Sequence, residues 1–144
     1  MSKQFSGHFA DKHPPGTKVV PELDQAIRAH LTDGQITCRQ AHDIAANLHV
    51  PPLDVGVAID LAEGRIHKCQ LGLFGYGKGQ KKIKAPADIP PALHQALAAA
   101  LGQGRISCAE AWRIADELTL PRLTVANACE GLGIRIKPCQ LGAF

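Results

Sequence analysis

Apolar residues recur along the chain at the three- and four-residue spacing that places side chains on one face of an α-helix. Two stripes of leucine and isoleucine have this spacing: Leu23, Ile27 and Leu31, then Leu93, Leu97 and Leu101. Each follows a proline, Pro21 or Pro91, at the position where a first helical residue favours proline. The pattern predicts a helix starting at each proline and ending before a glycine, Gly34 or Gly104.

Two further helices are predicted after each of these. Thr37 with Gln40, and Ser107 with Glu110, have the spacing of a capping box at a helix start. The apolar positions that follow define the inward face of a second helix, at Ala41, Ile44, Ala45 and Leu48 and at Ala111, Ile114, Ala115 and Leu118. A turn ending in Pro51 or Pro121 then starts a third helix, with inward residues Val55, Ala58 and Ile59 or Val125, Ala128 and Cys129. Extended segments are predicted at 35–37 and 105–107, and strands at 65–71 and 135–141.

The two sets of elements belong to an internal repeat. A shift of 70 residues aligns residues 21–74 with 91–144 without a gap, and 24 of the 54 positions are identical. Both copies close on the same residues, Cys69-Gln70-Leu71-Gly72 and Cys139-Gln140-Leu141-Gly142, with a phenylalanine two positions later. Two copies are too few for a solenoid. We therefore predict an irregular arm at 1–20, a first domain at 21–84 that includes a wing or linker, and a second domain at 85–144.

One segment of the second repeat resembles the helix-turn-helix of bacterial transcriptional regulators. Residues 114–125 read Ile-Ala-Asp-Glu-Leu-Thr-Leu-Pro-Arg-Leu-Thr-Val, which matches the Ile-Ala-x-x-Leu, turn and second-helix pattern of that class. The order helix, short strand, helix, turn, helix, strand is similar to a winged helix. The resemblance implies a mainly α fold with small β wings, built as two tandem winged-helix-like three-helix domains. The usual turn glycine is replaced by His49 or Thr119, and a second wing strand is available only in the first repeat, at 81–84.

The resemblance implies that the third helix of the second repeat is the DNA-recognition helix. Its outward positions carry Arg122, Thr124, Asn127 and Glu130. Arginine pairs well with guanine and asparagine with adenine, so the expected DNA contacts are Arg122, Thr124 and Asn127. Ordinary solvated surface is the alternative for these residues. The linker contains four lysines that could contact phosphates: Lys78, Lys81, Lys82 and Lys84. The alternative is that they only make this segment a soluble, flexible linker.

The same helix of the first repeat has a different surface. Its outward positions include Asp54, Val57 and Asp60, and residues 21–74 carry four basic against seven acidic side chains. A phosphate backbone would repel this face. We expect it to pack against protein, either the other repeat, a second copy in a homodimer, or a partner.

Four cysteines recur between the repeats, Cys38 with Cys108 and Cys69 with Cys139. They are interpreted as buried structural thiols, as redox-active thiols, or as a shared four-cysteine metal site. A cysteine at the first position of a helix favours thiolate, which supports the redox interpretation. No Cys-x-x-Cys spacing supports a zinc site.

The remaining sequence features exclude several classes of protein. No run of 18 apolar residues exists, and nothing at the N-terminus resembles a signal peptide, so we expect a cytoplasmic protein with no membrane contact. No nucleophile–base pair, phosphate loop or matched carboxylate pair is recognisable. The sequence thus predicts a non-enzymatic protein without a cofactor. The leading hypothesis is a DNA-binding regulator; a protein–protein adaptor and a thiol- or metal-responsive sensor are the alternatives.

Overall fold

The computed structural model describes residues 9–77 and 82–144, which divide into two compact units between Lys68 and Cys69. Six α-helices and four short strands occur in this part of the chain, so the protein is mainly helical. The first unit contains α1 (Pro21–His30), β1 (Gln35–Thr37), α2 (Cys38–Leu48), α3 (Pro52–Leu61) and β2 (Arg65–His67). The second contains α4 (Pro91–Ala100), β3 (Arg105–Ile106), α5 (Cys108–Leu118), α6 (Arg122–Leu132) and β4 (Arg135–Ile136). No helix among the described residues is long and apolar enough to cross a membrane.

The strands of each unit pair in parallel, β1 with β2 and β3 with β4. Parallel neighbours need a crossover connection, and here the second and third helices supply it. The predicted strands at 65–71 and 135–141 are longer than those observed. The chain leaves the ladder because Lys68 has a φ of +52° and because Cys69 and Cys139 begin compact loops. The proposed wing strand is not found at 82–84, and Lys81 lies outside the described residues.

Gly34 and Gly104 do not end the first helix of each repeat, as the sequence suggested. Those helices end earlier, at His30 and Ala100. Each glycine instead follows a residue that also has positive φ, Asp33 in one turn and Gln103 in the other. Two central residues with positive φ define a type I′ turn, which needs glycine or a similarly tolerant residue. Each glycine therefore belongs to a turn that reverses the chain directly before β1 or β3.

The predicted core positions of the second and third helices are confirmed except at Leu48 and Leu118, which are half-buried. Ala41, Ile44, Val55 and Ile59 are buried in the first unit, and their counterparts are buried in the second. The capping box at Thr37 is complete, since Thr37 Oγ1 accepts from the Gln40 N–H and Gln40 accepts from the Thr37 N–H. Ser107 accepts from Glu110 in the same way at 3.0 Å. These caps fix where the second helix of each unit begins.

A left-handed residue joins the second and third helices in both units. His49 and Thr119 follow α2 and α5 with φ of +56° and +55°. The third helix then begins one residue after the proline from which it was predicted to start, at Pro52 or Arg122. Each unit therefore contains two helices connected by a tight left-handed turn, although neither has glycine at the turn position.

Candidate functional site

The outer face of α6, expected to contact DNA, is covered by the preceding part of its own unit. Leu123, Asn127 and Gly131 lie four residues apart and so form one stripe along the helix. A Cβ added at Gly72 would lie only 2.7 Å from Leu123 Cδ1. One turn further, Asn127 Oδ1 accepts a hydrogen bond from the Lys84 N–H at 2.9 Å.

The preceding part of the unit also comes close to the last residue of the stripe, Gly131, although Gly131 itself is exposed. A Cβ at Gly131 would lie 3.1 Å from Pro86 Cδ and 3.9 Å from Ile89. Ile83 and Ile89 are half-buried against the core of this unit. We call residues 69–77 and 82–90 the connector. It contacts the α6 stripe at Leu123, Asn127 and Gly131.

Arg122, the strongest sequence candidate for a base contact, is held against the protein. Its guanidinium lies 3.6 Å from the centre of the Trp112 ring, a close cation–π contact. Arg122 Nη1 also lies 3.4 Å from Gln70 Oε1, and its Nη2 is 3.8 Å from an Asp116 carboxylate oxygen. These contacts leave 29% of the side chain exposed. In this conformation the guanidinium is engaged on its own unit.

The other predicted DNA contacts are spread over different environments. Thr124 is half-buried on α6. Lys82 places its ammonium 5.2 Å from the Tyr76 ring centre, and its N–H donates to the Gly72 carbonyl. Lys84 is exposed, while Lys78 and Lys81 lie outside the described residues.

The equivalent stripe on α3 is exposed at its N-terminal end. It consists of Leu53, Val57 and Leu61, all apolar, and Leu53 is 55% exposed. Asp54, beside Leu53, is also exposed, while Val57 is half-buried. The N-terminal half of α3 therefore presents an apolar surface next to a carboxylate.

Asp60, predicted to face a protein partner, is instead paired within its own unit. Asp60 Oδ2 lies 3.2 Å from Lys12 Nζ and 2.8 Å from His13 Nε2. Next to it, Glu63 accepts from the N–H groups of Phe9 and Ala10, which begin a single 3-10 turn at Phe9–Lys12. The described part of the predicted arm, residues 9–20, is therefore anchored at the C-terminal end of α3.

The repeated closing segments form two loops of the same design, both in the second unit. In closing loop 1 (Cys69–Phe74) the Cys69 N–H donates to the Phe74 carbonyl at 3.1 Å; closing loop 2 (Cys139–Phe144) repeats this bond at 2.7 Å. The two terminal phenylalanine rings meet edge to face, 5.7 Å apart. Leu71 and Leu141 are buried, so both loops contribute to the core of this unit.

Three of the four repeated cysteines lie in the second unit, and burial favours the neutral thiol in two of them, Cys69 and Cys108. Burial raises the pKa of Cys69 and of Cys108, and the neighbouring Cys139 raises both further. A hydrogen bond from Gln140 to Cys108 Sγ acts in the opposite direction. The lowered pKa that the redox hypothesis expected for Cys108 is not found. Within the described residues, no group of three or more histidine, cysteine or carboxylate side chains is arranged to hold a metal ion.

Sequence reasoning missed a group of exposed cations on the small ladder of the second unit. Arg105 and Arg135 are partners in register, and Lys137 follows two residues after Arg135. All three are exposed. The individual extended segments were predicted, but nothing in their sequence revealed that they pair in parallel and so bring the two arginines side by side.

Comparison with known proteins gives no identification. No protein family matches the chain, and no curated protein or solved structure matches it at a significant level.

Proposed function

We propose that this chain is a non-enzymatic protein-interaction adaptor in which the third helix of each repeat binds an extended polypeptide segment. The single observation that supports it best is the covering of the α6 stripe by the connector. That face already has the shape and chemistry to bind polypeptide. The α3 stripe occupies the same position in the first repeat and retains an exposed apolar residue, Leu53.

The chemistry of the α3 stripe indicates the kind of segment it would bind. Exposed Leu53 and half-buried Val57 and Leu61 offer aliphatic contacts, and exposed Asp54 favours a nearby lysine or arginine. The connector offers such a combination, with Ile83 between Lys82 and Lys84. The proposed partner is therefore an extended, basic and apolar segment of another protein.

A synthetic peptide with the sequence of residues 71–90 is a suitable probe for this surface. Its binding to the full chain is measured by fluorescence anisotropy, for wild type and for Leu53→Asp. The substitution should weaken binding at least tenfold, since a charge in an apolar contact is strongly unfavourable. Val20→Asp is the matched control, because Val20 is also 55% exposed and in the same unit. A scrambled peptide controls for charge.

Equal binding by wild type and Leu53→Asp would exclude the α3 stripe as the docking surface. Light scattering on the same samples measures the oligomeric state and so distinguishes a partner protein from a second copy of the chain. A wild-type dimer that Leu53→Asp converts to a folded monomer would make a second copy of the chain the occupant, instead of a different protein.

DNA binding is the second candidate function, favoured by the helix, left-handed turn and helix that both repeats contain. The resemblance to winged-helix regulators supports it too. For Arg122, Thr124 and Asn127 to contact bases, the connector would first have to leave α6. Binding of a DNA duplex should then weaken steeply with salt, and Arg122→Ala should reduce affinity about tenfold or more. A gel shift at low salt with no retarded band would rule this candidate out.

A further inference from the structure

Three exposed cations lie on the ladder of the second unit or directly after it. β3 and β4 pair in parallel with Arg105 opposite Arg135 and Ile106 opposite Ile136. Both isoleucines are buried, at 2% and 8% exposure. Since alternate residues of a strand point to opposite sides, the two arginines face outward together. Lys137 directly follows β4, is exposed, and continues the ladder by donating its backbone N–H to the Ile106 carbonyl. We call Arg105, Arg135 and Lys137 the basic ladder.

The backbone of all three cations is fixed by hydrogen bonds. The Arg105 N–H donates to the Gly102 carbonyl, and the Arg135 N–H donates to that of Gly104. The Lys137 N–H donates to Ile106 at 2.8 Å. Neighbouring strands are about 5 Å apart and alternate residues of a strand about 7 Å apart. The backbone positions of the three cations are therefore close together and held in place.

This arrangement is electrostatically unfavourable for the isolated protein. Like charges directly opposite one another on paired strands destabilise the pair. Among the residues that the structure describes, none of the three cations forms an ion pair that would offset the repulsion. The fold does not require them either. The first repeat has Gln35, Arg65 and His67 at the same positions, and Gln35 and Arg65 are in register.

We propose that the basic ladder binds the phosphate backbone of a nucleic acid. Closely spaced cations on a rigid base match closely spaced phosphates, and binding would release counterions from the nucleic acid. Two arginines also suit phosphate, because the guanidinium fork donates two parallel hydrogen bonds. The inference goes beyond the adaptor function. It rests on the second candidate function but locates the contact on β3 and β4 instead of α6, so that the connector need not move.

The test compares three forms of the full chain by fluorescence anisotropy with a labelled 20-base-pair DNA duplex between 50 and 200 mM salt. The ladder variant carries Arg105→Gln, Arg135→Gln and Lys137→Gln. The control carries Lys18→Gln, Arg28→Gln and Arg39→Gln, three exposed cations of the first unit, and has the same net charge. The ladder variant should bind at least tenfold more weakly at 50 mM salt. Its slope of log affinity against log salt should be shallower by about 2 to 3, roughly 0.9 for each lost phosphate contact.

Each other result overturns the inference in a recognisable way. Equal losses in the ladder and control variants would show that net charge alone matters. Duplex binding that is lost in Arg122→Ala but retained in the ladder variant would leave the α6 hypothesis standing and remove this one. Polyglutamate that competes as well as unlabelled duplex would identify an acidic polypeptide as the occupant. No duplex binding by the wild type would remove both this inference and the DNA-binding candidate.

Discussion

The α3 and α6 helices share a repeat position and an inward face, yet their outer faces differ. On α6 the connector contacts the stripe and leaves Leu123 and Asn127 half-buried, while Gly131 stays exposed. On α3 the corresponding stripe begins with exposed Leu53. The N-terminal arm contacts only the C-terminal end of this helix, at Asp60 and Glu63. The difference shows that a repeated helix does not determine its own surroundings. The chain that precedes each repeat, the arm in one case and the connector in the other, decides which part of the face stays accessible.

The largest effect is expected from Gly72→Ala, which removes the close approach between the connector and α6. Gly72 has a φ of +80°, and a Cβ there would meet Leu123 Cδ1 at 2.7 Å. Backbone strain and overpacking together should reduce the free energy of unfolding by about 3 kcal/mol in urea denaturation. Gly104→Ala is the control. Gly104 has a φ of +78° and open space around it, so only about 1 kcal/mol is expected. Equal losses would mean that the contact is not tight.

The next effect is expected when the two leucines at the same repeat position are each shortened. Leu123→Ala should destabilise the chain by about 2 kcal/mol, because the side chain is packed beneath Gly72. Leu53→Ala should cost about 0.5 kcal/mol, because more than half of the residue is already exposed. Urea denaturation of both variants measures the difference. A larger loss at Leu53 would contradict the assignment of α3 as the accessible helix.

A pH-dependent difference between the repeats comes from the core position that holds Ile59 in one and Cys129 in the other. Burial raises the pKa of the Cys129 thiol from 9.0 to about 11. At pH 8 both the folded and the unfolded chain keep most of this proton. Between pH 9 and 11 the unfolded chain loses it first, so stability falls, by about 1.4 kcal/mol at pH 10. Urea denaturation at pH 8 and pH 10 measures this loss, which should be smaller in Cys129→Ala by that amount. The same loss in both forms would exclude Cys129 as its cause.

A gain in stability is expected at the left-handed turns. Thr119 is β-branched and exposed with a φ of +55°, a conformation that glycine adopts without strain. Thr119→Gly should raise the free energy of unfolding by about 1 kcal/mol. His49→Gly should raise it by less, since histidine is not β-branched. Thermal denaturation of both variants compares the two turns, and a loss at Thr119 would show that its side chain has a stabilising role.

The smallest effect concerns the two acidic residues at either end of α3. Asp60→Asn should cost about 0.5–1 kcal/mol, because it weakens the pairing with Lys12 and His13. Asp54→Asn should change stability by less than about 0.3 kcal/mol, since Asp54 is exposed. If peptide binding depends on Asp54 but not on Asp60, the accessible end of α3 is the docking end. The reverse dependence would place docking at the arm.

Periodic features of the fold could be predicted from the sequence. The helices around Leu23, Ile44 and Val55 and their counterparts follow from apolar spacing, and the cap at Thr37 follows from a local pattern. The parallel pairing of β1 with β2 could not be predicted, because it depends on a crossover and not on neighbouring residues. Gly34 was misassigned because glycine suits both a helix end and a type I′ turn, and only the backbone φ distinguishes them.

The candidate site was less predictable for a related reason. The outward positions of α6 were identified correctly by helical spacing, but exposure was assumed for them. Arg122 and Asn127 are both engaged by residues more than 40 positions away, Gln70 and Lys84. The spacing of residues within one helix cannot predict such contacts. The basic ladder was missed because its charges come together only through tertiary pairing.

The position of closing loop 1 decides how the chain can be divided for experiments. The repeat ends at Phe74, but the structural boundary falls between Lys68 and Cys69. A fragment that starts at residue 75 would lack Leu71, which is fully buried in the second unit, and the edge-to-face partner of Phe144. Expression of the second half as residues 69–144 keeps this core complete. The duplicated block is therefore not the piece that should be cloned, because the second half takes its first six residues from the end of the first copy.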